Sequence, residues 1–178
     1  PGDYELYEQM ANRMYTIVRR FSHAVEEYSI DECFALLRQG YAGQVPSDNA
    51  LEIHATLKRE LGMTFSVGLA PTKVLAKLAS KRDKPNGCVC VSQDNFAQEL
   101  YHMDIGKVWG IGYRSLPLLR AFGVMTVGDF ANQSESWVRH NWNINFLELW
   151  HELRGKQVYA VGEGNLAKHQ SIQKTRTF

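Results

Sequence analysis

Asp31 and Glu32 stand side by side in the segment Tyr28-Ser29-Ile30-Asp31-Glu32-Cys33-Phe34. Adjacent carboxylates on an extended strand point to opposite faces. At a strand end or in a tight hairpin they can converge on one cation, and two-metal chemistry at phosphate needs clustered hard oxygen ligands of this kind. A solvated acidic hairpin tip would carry the same residues. A second pattern lies at Lys73, Lys77 and Lys81, four residues apart and therefore stacked along one helical face, with Val74, Leu75 and Leu78 on the other side. From Lys73 to Lys84 there are five basic residues (Lys73, Lys77, Lys81, Arg82, Lys84) against the single acid Asp83, a local charge that attracts phosphate while the whole chain stays at +1. A strand entering this helix through a Gly-containing turn leaves N–H groups at the helix start suited to an anion. An amphipathic helix with a wet lysine face reads the same way. The spacing lacks the Gly-Lys-Ser/Thr of a Walker loop. A third pattern is Val108-Trp109-Gly110-Ile111-Gly112 ahead of a helix-like stretch, Tyr113–Phe122, ending at Gly123. Two glycines around one apolar residue expose backbone N–H groups to a nucleic-acid phosphate, a contact blind to base sequence; tight turns between helices use the same pattern.

The elements that must hold these residues follow from periodicity. Asp3 is a plausible N-cap, and Tyr7, Met10, Ala11, Met14, Ile17, Val18 and Phe21 recur at helical spacing, which predicts a helix over about 4–22. Ala24–Ile30 and Phe34–Leu37 read as short strands around Asp31-Glu32, a hairpin with the acids at its tip. After a loop at Gly40–Pro46, Ser47 caps a second helix with Leu51, His54, Leu57 and Leu61 inward and Gly62 as its stop. Phe65–Ala70 is nearly all apolar, the mark of a strand buried on both faces. Thr72 starts a third helix to about Lys81, and Pro85-Asn86-Gly87 turns into a strand at Cys88–Val91. From Phe96 short helices alternate with Gly-containing turns. The stretch 103–154 reads as a small helical domain, 155–170 as a linker, and Ser171–Phe178 as the start of a further strand. No internal repeat or low-complexity tract is present.

Composition sets the bounds. With 178 residues, 44% of them hydrophobic, the chain can fill one fair-sized core or two small ones and is not of the disordered class. No apolar run reaches the roughly 20 residues of a membrane span, and no secretory leader opens the chain. Cys33, Cys88 and Cys90 are odd in number and form no CxxC pair, which argues against a disulfide framework or a zinc site and for a reducing cytoplasm. Cys88 and Cys90 share one face of their strand, as small buried hydrophobes.

The residues around the two acids resemble the Ser-Ile-Asp-Glu motif of the Y-family (translesion) DNA polymerases, with Cys33 in place of the commoner Ala. The stretch from Ser66 to Lys84-Pro85-Asn86-Gly87 resembles a palm segment of that family, and the Gly110–Gly112 turn with Val124, Thr126 and Val127 beyond it resembles the helix-hairpin-helix of its thumb. Asp3–Tyr7, Val108–Gly112, Leu153-Arg154-Gly155 and Thr175–Phe178 look most like the UmuC-type branch, the catalytic subunits of DNA polymerase V. The resemblance covers almost the whole chain. It implies an α+β fold: a partial palm of mixed sheet with helices over 1–102, an all-α thumb over 103–154, and over 155–178 a linker and the start of a little finger. It also implies error-prone insertion opposite damaged bases with Mg²⁺ as cofactor. Asp31 and Glu32 are then the catalytic, metal-binding pair. Lys84 contacts the incoming deoxynucleoside triphosphate, with Lys77 as a supporting charge, and Gly110, Ile111, Gly112 and Arg114 hold the primer-template backbone. The implied partners are UmuD′, RecA and the sliding clamp.

Within that resemblance two expected parts do not appear: a first palm strand with another Asp ligand and a bulky residue against the sugar 2′-position, and the fingers. The little finger stops at Phe178, and the chain opens on Pro1. The expectation is a fragment with little or no nucleotidyl transfer alone, and with a sheet edge open to a second copy in a homodimer. In the thumb, Leu116-Pro117-Leu118 stand where UmuC-type relatives carry bases, and Pro117 is expected to bend the first turns of the helix and weaken the grip. Two other readings remain: a DNA-backbone-binding module with Asp31 and Glu32 idle, and a protein-interaction scaffold.

Overall fold

The computed structural model describes residues 4–37 and 45–162. The expected cap at Asp3, most of the expected Gly40–Pro46 loop, and the expected strand at Ser171–Phe178 lie outside these residues. The chain divides into two compact units, one holding residues 1–37 and 161–178, the other 38–160.

In the first unit, α1 runs Tyr4–Val18 and buries Ala11, Met14, Tyr15, Ile17 and Val18, the inner part of the expected stripe. Strands β1 (Val25–Ser29) and β2 (Glu32–Ala35) form the expected antiparallel hairpin. The second strand begins at Glu32 rather than Phe34. The register shifts between Glu27 and Ser29, so Tyr28 bulges out and Ser29 faces Glu32. An extra residue of this kind bends the strand and re-aims the side chains beyond it.

In the second unit, α2 (Pro46–Leu61) begins with Pro46 in its first turn after Val45; Ser47 is not its cap. Gly62 closes it in the left-handed region at φ 65°, as expected. Its inward face is Asn49, Ala50, Ile53, Thr56 and Leu57, and Leu51, expected inside, is exposed because the buried stripe is offset by one position. Strand β3 is only Val67–Leu69 and is half-buried along its length, not buried on both faces. It pairs in parallel with β4, Cys88–Cys90. The strands of the described residues therefore form two separate two-stranded sheets, where one mixed sheet was expected.

Between β3 and β4 lies α3, Lys73–Arg82, capped by the Thr72 hydroxyl, which accepts from the Leu75 amide at 3.3 Å. The helix packs so closely on β3 that a Cβ on Gly68 would stand 2.1 Å from the Ala76 carbonyl oxygen and 2.5 Å from the Ser80 nitrogen. Only glycine lets these backbones touch. The remaining helices are α4 (Phe96–Leu100), a 3₁₀ turn (Ile105–Lys107), α5 (Leu116–Ala121), α6 (Val127–Ala131), α7 (Glu135–Asn141) and α8 (Ile144–Leu153). One continuous core runs from Val74, Leu75 and Leu78 of α3 through Leu100, Ile105, Leu119 and Phe130 to Leu153. Among the described residues no helix is long and apolar enough to cross a membrane.

Replacing Gly68 with Ala should lower the unfolding free energy by at least about 2 kcal/mol, because the clash is with backbone and cannot relax by a rotamer change. Gly112→Ala, with nothing within 4 Å of the new Cβ, should stay within about 0.5 kcal/mol. Urea unfolding of both variants tests the contrast.

Candidate functional site

The acidic hairpin places Asp31 in the exposed turn and Glu32, half-buried, at the first position of β2. The Ser29 hydroxyl donates to Asp31 Oδ1 at 2.6 Å and fixes that carboxylate. The Tyr15 hydroxyl donates to the Ser29 carbonyl, anchoring the bulged strand on α1. Burial first, then the negative charge at Glu27 and Asp31 and the thiol of Cys33, raises the Tyr15 phenol above its ordinary value, so it stays a donor. Burial likewise pushes the Cys33 thiol up to about 11. Two adjacent carboxylates suit Mg²⁺, which takes hard oxygen ligands and keeps several waters. Among the described residues no group of three acidic, His or Cys side chains converges as a metal cluster.

Lys84 is exposed on the turn between α3 and β4. Its bond to Pro85 is cis, and Asn86 follows at φ 67°, a left-handed position that Asn tolerates better than most residues. A Cβ at Gly87 would meet the Asp83 carbonyl oxygen at 2.4 Å. Asn86 Oδ1 is buried and has no hydrogen-bond partner among the described residues.

The lysine row of α3 is not a uniformly wet face: Lys73 is buried, and Lys77 and Lys81 are half-buried. Lys73 is only 8% exposed, its ammonium 3.5 Å from the Ala160 carbonyl oxygen and 6.0 Å from the centre of the Trp109 ring. Lys77 Nζ lies 5.2 Å from the same ring centre, and Lys81 Nζ donates to the Lys107 carbonyl at 2.8 Å. The expected anion site at the start of α3 is also filled from within. Glu152, fully buried, accepts from the Val74 amide at 3.1 Å through Oε2 and from the Val158 and Tyr159 amides at 2.6 and 2.8 Å through Oε1. The Thr72 hydroxyl donates to the Glu152 carbonyl at 2.9 Å. A protein carboxylate holds the place that the strand-to-helix pattern offers to a phosphate.

In the glycine turn, Gly110 takes φ 92°. Ile111 buries its side chain, and its amide donates to the Val108 carbonyl at 3.3 Å, so Ile111 anchors the turn through its core contacts. Gly112 is exposed, and its carbonyl accepts from Ser115 and Leu116. Arg114 is exposed, its Nε 2.9 Å from the Tyr113 hydroxyl and its guanidinium 5.5 Å from that ring's centre. Helix α5 starts at Leu116, later than expected, and Pro117 sits in its first turn. A proline there removes an amide that has no intrahelical partner anyway, so the expected bend does not arise. After Gly123, the Thr126 hydroxyl and Asp129 carboxylate form a capping box on α6. Backbone N–H groups donating to Asp129, first that of Thr126, hold its carboxyl below its ordinary value.

The comparisons with known proteins give first a class and then relatives. The fold is that of the Y-family polymerases: a crystal structure of DinB from Sulfolobus solfataricus aligns with a TM-score of 0.78 at 23% identity, over 92% of this chain and 49% of that one. An insertion ternary complex of Dbh DNA polymerase aligns at 0.77 and 24% identity, over 90% and 48%. Residues 1–81 match the impB/mucB/samB family. Protein ImpB of Salmonella typhimurium is 32% identical over 178 residues, 96% of this chain and 42% of that protein. Protein UmuC of Salmonella typhimurium strain LT2 is 35% identical over 183 aligned positions, 99% of this chain and 43% of that protein. DNA polymerase IV 1 of Bacillus subtilis strain 168 is 27% identical, over 99% and 43%. Residues 1–81 thus carry an impB/mucB/samB domain, and the chain, similar to ImpB and UmuC along nearly its whole length, spans less than half the length of these relatives.

Three contributors escape a reading of the sequence. Ser29 lies inside the acidic motif, and its i, i+2 hydroxyl is a visible signal. Trp109 shows only as an aromatic beside glycines. Glu152, on the apolar helix α8, carries no signal of the Val74 amide, 78 residues earlier, that it satisfies.

Glu152→Ala would strand the buried Val74 amide and release the partly buried Val158 and Tyr159 amides, and a stability loss of roughly 1–3 kcal/mol is expected on thermal or urea unfolding. The pH dependence follows from raised pKa values. Burial pushes Cys33 to about 11, and burial and then the neighbouring Cys90 push Cys88 to about 12, both from 9.0. Burial and then Glu148 push Tyr159 to about 12 from 10.0. A raised pKa in the folded state stabilises fully below the unfolded value and is lost as pH rises through the folded value. The unfolding free energy should therefore fall from about pH 9 to about pH 12; a flat profile in urea titrations there would contradict it.

Proposed function

We propose that this chain supplies part of the active site and DNA grip of an error-prone, Mg²⁺-dependent DNA polymerase. Asp31 and Glu32 would hold the metal, and Ser29 presents the Asp31 carboxylate to it. Bound there, Mg²⁺ would supply charge neutralisation for a triphosphate and a more acidic primer hydroxyl. Lys84, on its rigid turn, would contact the triphosphate of the incoming nucleotide and offset charge on the leaving pyrophosphate. The Gly110–Gly112 turn with α5 and α6 would act as a helix-hairpin-helix, and Arg114 would add a charge beside a DNA phosphate. The observation that carries this reading is the acidic hairpin, with Asp31 fixed by Ser29, in a chain 32% and 35% identical to ImpB and UmuC. Primer-template DNA and a deoxynucleoside triphosphate are the proposed ligands. UmuD′, RecA and a sliding clamp are proposed partners by kinship with UmuC, and three free thiols suit a reducing cytoplasm.

The second reading is a module that only holds DNA backbone, with Asp31 and Glu32 idle. Mn²⁺ titration followed by NMR separates the two. Under the first reading Mn²⁺ broadens amides around Asp31 and Glu32, and in the presence of a triphosphate also those of Lys84–Gly87; Asp31→Ala should cut the affinity at least about tenfold. No broadening, with salt-dependent DNA binding intact, would leave the binding module.

A further inference from the structure

The three lysines spaced i, i+4, i+8 on α3 all end on the segments that lead into the glycine turn or lie beside it. Lys81 reaches the Lys107 carbonyl, two residues before Trp109. Lys77 and Lys73 reach the Trp109 ring, and Lys73 also approaches the Ala160 carbonyl. The same ring meets Tyr159, with centroids 5.9 Å apart at 65°. Trp109 thus lies against two cations and an aromatic edge, and Gly110 follows it directly at φ 92°. An ammonium within about 6 Å of an indole ring centre is attracted by the negative face of the ring. Lys73 is buried and Lys77 and Lys81 are half-buried, whereas Arg114, just after the turn, is exposed.

From this geometry we infer that the row Lys73, Lys77, Lys81 is an intramolecular clasp on Trp109 that sets the position of the glycine turn. Lys77 and Trp109 are positioning residues for the DNA-backbone grip, acting without touching phosphate. The inference rests on the proposed grip by Gly110–Gly112 and deepens it. It differs from a direct electrostatic role in one measurable way. A lysine that pairs with a phosphate releases counterions, and its loss reduces the slope of log affinity against log salt by about 0.9. A lysine that acts through Trp109 lowers affinity and leaves the slope unchanged.

The test uses the whole chain and a fluorescent primer-template duplex, with affinity measured across a series of NaCl concentrations. Lys77→Gln and Trp109→Ala should each weaken binding about fivefold with the wild-type slope, and the double variant should be no weaker than either single one. Lys77→Arg, which keeps the cation on the ring, should restore affinity. Arg114→Gln, the control for direct contact, should flatten the slope by about 0.9. A flattened slope in Lys77→Gln with Trp109→Ala unaffected, or unaltered affinity in both, overturns the inference. If the wild-type chain shows no salt-dependent DNA binding, the proposed grip fails instead. The clasp is then decided in the DNA-free protein, where Lys77→Gln must shift the amide resonances of Gly110 and Gly112, and unmoved resonances overturn it.

Discussion

A carboxylate with no access to water needs a donor for each oxygen, and Glu152 finds them at the start of α3 and on the stretch just beyond its own helix. One oxygen takes the second amide of α3; the other takes the amides of Val158 and Tyr159. The positive end of α3 favours the charge that its free amides also solvate. Removing the acid would leave the buried Val74 amide without its acceptor, and through these bonds the start of α3, the end of α8 and the stretch beyond it are tied as one piece.

That tie extends to the functional candidates of the second unit. Tyr159, placed by its amide on Glu152 and its hydroxyl on Glu148, packs its ring edge-on with Trp109. The helix that Glu152 caps carries the lysines that close on the same indole. Gly68 lets that helix lie against β3, and the Asp83–Gly87 contact folds the chain back into β4, leaving Lys84 exposed on a turn with little freedom. Each step is a short-range requirement, and together they give a half-buried parallel pair of strands a defined helix in front of it.

Local chemistry is legible in the sequence, and partnership is not. Periodicity finds α1, the hairpin, the Thr72 cap and the turn at Pro85-Asn86-Gly87 because each depends on residues within a few positions of one another. It places the inward face of α2 one residue away from where it lies, because the true stripe of Asn49, Ile53, Thr56 and Leu57 includes polar members that a count of apolar residues passes over. The apolar residues of β3 suggest burial on both faces, yet a short two-stranded sheet cannot cover both. The acidic pair and Lys84 are visible as residue types in a familiar arrangement. The supports of the second unit, Glu152 and Trp109, are hidden because their partners lie tens of residues away.

The lysine row shows why residue type alone misleads about electrostatics. Four-residue spacing of cations says that they share a helix face; it says nothing about what lies opposite. A solvated row would enter DNA binding as point charges, each adding to the salt dependence. A row laid on an indole and two carbonyls contributes through geometry instead, since the positions of Trp109 and of Gly110 after it depend on it. Positive charge aimed at a phosphate can then be confined to few exposed groups. Under the proposed grip, which holds a nucleic-acid backbone without reading its bases, placing those groups accurately matters more than increasing their number.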